Sequence, residues 1–430
     1  MKEIITGGAY RLFYMFFNFG VGLLIAYLSG IEIFGIISLM IVNASVFHII
    51  SGLGTDSSIV WHGAKNKTSP DKLMTFTIVS AIFQILIFLF VSAGWLFFSG
   101  KTILTSNHSA RFFWLELFYF MGLVWLEKYI SVLYASQMSI ECNKIILGVM
   151  GLIFLVLLPV YFGIDPLNID PFSFFCFLPL AQALPLIIYF HRKKIVKFSF
   201  LSKIDMRSLM SFSFIVFITN TIQFLAYRID YWIILHYQDA GQLGIYAQAN
   251  RFAQLLWVVP NILAALMIPA IASPQSRLNE NDFAKFTRII IYTSLGIVAA
   301  IVLISYGLYL NFLPEEFYGG FKALLFMLPG FYFFVITILL AAWFAAQRLL
   351  WINFYGSLIC LVVIFIADIL LIPKFGIYGA AIGNTIGYTA STLFCVYMFL
   401  KRSPYGLKDL FFIRKNDLQR VIKLKLYSGK

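Results

Sequence analysis

The residues best placed to do chemistry in this sequence are polar groups embedded in long apolar stretches. In 243–272 they are Tyr246, Asn250, Arg251, Gln254 and Asn261. At 100° per residue, Tyr246, Asn250, Gln254, Trp257 and Asn261 fall within an arc of roughly 80°, and Arg251 lies about 60° beyond it. A narrow polar stripe on an otherwise apolar helix faces water or another helix, because lipid penalises it. The Arg251 guanidinium suits a phosphate or a saccharide hydroxyl. The structural alternative is a salt bridge to Asp230 or Glu116.

Three more stretches carry groups of this kind. Asn220, Gln223, Tyr227, Asp230 and Tyr231 share an arc of about 100° in 208–231, and amides with phenols suit sugar hydroxyls as well as interhelical hydrogen bonds. Asp230 and Arg228 lie near the outer end of that stretch and fit a gate or a solvated rim. Arg11, Tyr14, Asn18, Gly22 and Ser29 share a face in 10–30, where Arg11 either meets a lipid diphosphate or snorkels to headgroups. In 112–134, Glu116, Glu127 and Lys128 are candidates for gating or ion coupling; Glu127 and Lys128 are adjacent, point about 100° apart and cannot pair face to face. His48 reads as a lone histidine with no functional role. No Cys/His ligand spacing suggests a metal, and no GxxxxGK[ST] loop suggests a nucleotide, so neither metal nor cofactor is expected.

The elements that must position these groups follow from composition. The chain has 430 residues, 61% hydrophobic and 12% charged, with a mean hydropathy of +0.88. Soluble domains carry roughly twice that charged fraction, so the sequence predicts an all-α polytopic membrane protein. Windows of about 20 residues give about twelve spans, near 10–30, 34–55, 73–98, 112–134, 144–163, 172–190, 208–231, 243–272, 287–311, 321–343, 352–372 and 376–400. Prolines 159, 179, 185, 260, 269 and 329 are expected to bend helices. Gly376, Ala380, Gly383, Gly387 and Ser391 form a small-residue face for close helix packing. Three of the four cysteines lie in apolar spans and Cys142 in a short loop, with no disulfide framework suggested. The first span is too long for a signal-peptide core and reads as uncleaved.

The net charge of +13 is explained by topology rather than by nucleic acid. With both termini cytoplasmic, only Lys101, Arg111, Arg228, Lys322 and Lys374 fall outside, Arg251 lies mid-span, and the other basic residues are inside. The basic linker 191–207 divides the chain into an N-terminal lobe (1–200, spans 1–6), a C-terminal lobe (201–400, spans 7–12) and a basic cytoplasmic tail (401–430). Phe34-Gly35-Ile36 echoes Leu243-Gly244-Ile245, and Phe162-Gly163-Ile164 echoes Phe375-Gly376-Ile377, at nearly equal offsets. Two six-helix lobes related by an axis along the membrane normal, with a central cavity between them, are therefore expected.

On three blocks the sequence resembles the polysaccharide transport family of the multidrug/oligosaccharidyl-lipid/polysaccharide exporter superfamily. LSGIEIFGIISLM (28–40) is similar to that family's first hairpin. LGIYAQANRFAQLLWVVPNILAALMIPAIA (243–272) is similar to its Gly-x-Tyr-x-x-Ala block, and LLIPKFGIYGAAIGNTIGY (370–388) to its Ile-Pro-x-x-Gly-Ile-x-Gly-Ala-Ala block. The resemblance implies a flippase that moves undecaprenyl-diphosphate-linked oligosaccharide repeat units, such as O-antigen of lipopolysaccharide, across the bacterial inner membrane by alternating access. It implies a cationic cavity with Arg251 at the matching position. Its partners would be the lipid-linked oligosaccharide, membrane lipids and other polysaccharide-assembly proteins. Asp368 departs from relatives that carry Asn there, which leaves a proton or sodium role open. A cation-coupled multidrug exporter is the nearest alternative, although span 1 has no acidic residue before Glu32. A membrane-embedded polymerase or glycosyltransferase would need a larger outer loop and paired carboxylates, and a scaffold is the weakest reading.

Overall fold

The computed structural model describes residues 2–65, 68–164, 168–193, 197–272, 280–403 and 405–412. Among these, every regular element is helical: α1 (Lys2–Gly52), α2 (Thr55–Ala64), α3 (Pro70–Ser99), α4 (Ala110–Ala135), α5 (Ser139–Tyr161), α6 (Pro171–Lys193), α7 (Lys203–Tyr237), α8 (Ala240–Gln254), α9 (Val258–Ala272), α10 (Glu280–Asn311), α11 (Gly319–Ala346), α12 (Leu350–Phe375), α13 (Ile377–Arg402) and α14 (Leu407–Phe411). In hydrocarbon each backbone N–H and C=O must be paired within its own segment, and an apolar helix does this unaided. Nine of the helices in the described residues are long and apolar enough to cross a membrane. Gly30, at φ 70° and ψ 179°, breaks α1 into two passages. Together with α13 and the interrupted α8–α9 pair, this accounts for the expected dozen spans. The protein is an all-helical polytopic membrane protein.

The chain forms two compact units, 1–235 with 239–244, and 236–238 with 245–430. In the first unit, α4 packs against α6, α2 and α3, and α1 against α5. Ile59, Met74, Tyr129, Leu133, Cys142, Ile146, Leu186 and Phe190 close its interior. Cys142, expected in a loop, lies inside α5 and is fully buried; all four cysteines are free. The echoed glycines of the first pair meet here. A Cβ on Gly35 would stand 1.7 Å from the Ala240 carbonyl oxygen and 3.0 Å from the Gly244 nitrogen, and one on Gly244 would stand 2.0 Å from the Ile31 carbonyl oxygen.

Glu116 organises the loop before α4. It is 1% exposed and accepts hydrogen bonds from the Leu104 nitrogen (3.0 Å), the Thr105 nitrogen (2.9 Å) and the Thr105 hydroxyl (2.6 Å). Its oxygens are thus satisfied inside the first unit. Hydrogen bonds to a charged acceptor are each worth about 1.5–3 kcal/mol, so Glu116→Gln is expected to lower the thermal unfolding temperature and to speed proteolytic cleavage within 100–109.

In the second unit α13 packs against α12 and α11, and α9 against α11. The small-residue face does what its composition predicts. A Cβ on Gly387 would come within 2.2 Å of Ile364, and one on Gly383 within 2.3 Å of the Asp368 carboxylate, while the Ser391 hydroxyl donates to the Gly356 carbonyl at 3.0 Å. One detail differs from expectation: 243–272 is helical throughout but not uniformly α, because α8 and α9 are joined by a 3-10 turn. Pro260 lacks the N–H that would bond to Leu256 and its ring crowds that carbonyl, and the turn at Leu255–Trp257 tightens to 3-10 geometry. The polar stripe therefore shifts around the helix axis between Gln254 and Asn261.

Candidate functional site

The first unit holds a cavity of ≈ 330 Å³ whose wall carries charged and polar groups. It is lined by Ser45, His48, Ile49 and Gly52 from α1, Gly54, then Asp56 and Ser57 from α2, Leu123 and Glu127 from α4, and Phe217, Asn220 and Phe224 from α7. The break between α1 and α2 creates it. Leu53 and Gly54 both take positive φ, 47° and 73°, which ends α1 and restarts the chain at Thr55. Gly54 is required twice over: its φ favours glycine, and a Cβ there would lie 2.4 Å from the Ser213 carbonyl oxygen and 2.9 Å from the Phe217 nitrogen of α7.

The break is held by a buried ion-pair cluster. The Lys128 ammonium lies 2.8 Å from Asp56 Oδ1 and donates to the Thr55 hydroxyl at 2.7 Å, and that hydroxyl donates to the Gly52 carbonyl at 2.7 Å. His48 Nε2 lies 3.2 Å from Asp56 Oδ2. The Lys128 side chain is 0% exposed and that of Asp56 24%, so the carboxylate faces the cavity while the ammonium sits behind it. A fully buried lysine is retained only when paired and hydrogen-bonded, and both conditions are met here. Glu127, one residue earlier and about 100° around the helix, lines the cavity instead. Among the described residues it makes no hydrogen bond or ion pair.

Of the residues singled out from sequence, Asn220, Glu127 and Lys128 meet at this site, the first two in the lining and the third behind it. His48, read as a lone histidine, is a correction: it is Asp56's partner. Asp56 and Thr55 were missed. The signal available was the Gly52-Leu53-Gly54 break, which starts a new helix with a hydroxyl and a carboxylate in its first turn.

The remaining residues are dispersed. Within the first unit, Gln223 donates to the Tyr227 hydroxyl at 2.8 Å. Arg228 donates to the Tyr231 hydroxyl at 2.7 Å and lies 4.9 Å from that ring's centre. Asp230 is 1% exposed, and Arg11 and Asn18 are exposed on α1. Within the second unit, Tyr246 accepts from Asn384 at 2.7 Å and Gln254 donates to Asn250 at 2.6 Å. Trp257 stacks on Phe331 at 4.3 Å, the exposed Asn261 donates to the Trp257 carbonyl at 2.9 Å, and Arg251 is half-buried. Asp368 is fully buried where α12 meets Gly383. Among the described residues no cluster of His, Cys, Asp and Glu is arranged to hold a metal ion.

Comparison with known proteins gives the fold a place. Residues 172–317 match the family model described as polysaccharide biosynthesis protein. A multidrug resistance MATE family transporter of the MOP superfamily, in an inward-facing conformation, is similar at 15% identity and TM-score 0.68, over 99% of this chain and 100% of that one. The lipid II flippase MurJ, in an inward closed conformation, is similar at 15% identity and TM-score 0.69, over 99% and 92%. A MATE transporter of Vibrio cholerae in the bent form is similar at 14% identity and TM-score 0.58, over 93% and 96%. No curated protein matches the sequence. Residues 172–317 thus resemble the polysaccharide biosynthesis protein family model, and the whole chain carries the fold shared by the MATE transporters and MurJ.

Proposed function

We propose that this protein is a flippase for undecaprenyl-diphosphate-linked oligosaccharide repeat units, such as O-antigen, working by alternating access in the bacterial inner membrane with both termini cytoplasmic. The observation that carries this reading is the pairing of a polysaccharide-biosynthesis family match with a fold like that of a flippase whose own cargo is lipid II. In this proposal Arg251, with Tyr246, Asn250, Gln254 and Asn261, meets the diphosphate and first sugars, as do Arg11 and Asn18 on entry. Asn220 and Gln223 line the passage, Asp230 and Arg228 serve the outer gate, and Glu127 and Asp368 are the carboxylates through which an ion gradient would act. Deleting the gene is expected to abolish surface glycan and leave single lipid-linked repeat units inside the cytoplasmic leaflet, read by extraction and mass spectrometry. Arg251→Ala is expected to lower surface display at least about tenfold at unchanged expression, with Arg251→Lys retaining part of it because charge survives and the bidentate fork does not. Normal display by both the deletion and Arg251→Ala would refute the assignment.

A second reading, export of cationic drugs, is favoured by one observation: the acidic Glu127 wall with Phe217 and Phe224 suits an aromatic cation. Unchanged drug tolerance on expression in a pump-deficient strain would remove it.

A further inference from the structure

The lining of the cavity in the first unit carries two carboxylates and, among the described residues, one group that can be cationic, the His48 imidazole, which already lies 3.2 Å from Asp56. Asp56 and Glu127 are in the lining. The ammonium that pairs with Asp56, Lys128, is fully buried behind it and engaged by it and by Thr55, beyond a ligand's reach, which leaves Glu127 as the lining carboxylate that makes no ion pair among the described residues. Arg11 is within electrostatic range of Glu127 but is not part of the wall. Among the described residues no guanidinium lines this cavity to grip an anion bidentately.

We infer that this chamber receives the sugar end of the lipid-linked substrate and selects an uncharged or amine-bearing saccharide over an acidic one, with Glu127 as the residue that sets the preference. This rests on the flippase reading above. The wall has the parts a pyranose needs. The Glu127 carboxylate accepts from hydroxyls or from an ammonium, and the Asn220 amide both donates and accepts. The Ser57 hydroxyl can do either, whereas that of Ser45 already donates to the Ile41 carbonyl at 2.7 Å and is left as an acceptor. Phe217 and Phe224 stand seven residues apart on one face of α7 and offer their rings to the apolar face of the sugar. The volume, ≈ 330 Å³, lies at the lower end of small-molecule sites, about 300–1,000 Å³. A uronic acid or a diphosphate would bring a second anion beside the Glu127 carboxylate, and like charges repel.

The test uses the full-length protein in detergent micelles and saturation-transfer NMR. The probes are a glucosamine disaccharide, its N-acetylated form, a glucuronic-acid-containing disaccharide and inorganic pyrophosphate. The first two are expected to saturate at least about fivefold more strongly than the last two. Glu127→Gln should bring the acidic disaccharide to parity, and Asn220→Trp, which fills the cavity, should silence all probes without moving the thermal unfolding midpoint. The inference is overturned if the acidic disaccharide or pyrophosphate saturates as strongly in the unaltered protein, or if Glu127→Gln leaves the ratio unchanged. Saturation of ethidium but of no saccharide overturns it as well. The deletion phenotype separates this from the parent reading. Glycan lost on deletion with selectivity indifferent to Glu127 sinks only the chamber assignment, whereas glycan that survives deletion sinks the flippase reading itself.

Discussion

Replacing Lys128 with methionine is expected to destabilise the protein by about 3–5 kcal/mol, the typical cost of removing one partner from a buried ion pair. The methionine fills the volume, so packing is largely kept. What is lost is the cation 2.8 Å from Asp56 and the donor to Thr55 at 2.7 Å, which leaves a carboxylate with only His48 beside it. The double variant Lys128→Met with Asp56→Asn is expected to recover most of the loss, because an amide is far cheaper to leave in that position than an anion. Thermal unfolding in micelles, followed by intrinsic tryptophan fluorescence, reads both. A single variant as stable as the parent, or a double variant no better than the single, would show that the cluster does not hold the α1–α2 break.

Gly35→Val is expected to prevent accumulation of folded protein. The first added carbon would stand 1.7 Å from the Ala240 carbonyl oxygen, and that atom is backbone, so no rotamer change relieves the clash. Overpacking of cores commonly costs about 1–3 kcal/mol; here two backbones must separate, and the cost exceeds that range. The same substitution at Gly94 or Gly296, where a Cβ meets nothing within 4 Å, is the control and should leave yield by size-exclusion chromatography unchanged. Equal monodisperse yield from Gly35→Val and its controls would mean that the two segments do not approach this closely.

Much of the fold is legible in the sequence because a bilayer imposes one solution on long apolar stretches, a helix. The small residues on α13 could be read for the same reason, since period and side-chain size alone decide whether backbones can approach. Of the echoed glycines, Gly35 and Gly244 meet, and Gly163 and Gly376 both take positive φ. The cluster was not legible. Lys128 and Thr55 are 73 residues apart, and helical periodicity records which face a residue occupies, never which distant helix lies opposite. The shift of the stripe in 243–272 escaped the sequence for a different reason. Pro260 was visible, but a 100° wheel assumes an unbroken helix and carried the stripe straight through the turn that Pro260 enforces.

The four thiols lead to a practical consequence. Cys142, Cys176, Cys360 and Cys395 are each no more than 1% exposed and unbridged, so a maleimide added to the native protein has almost nothing to react with. A spectroscopic label on a single introduced cysteine at an exposed position such as Asn220 could then be read with almost no background, and without first stripping the native sulfurs from the helices they help to pack.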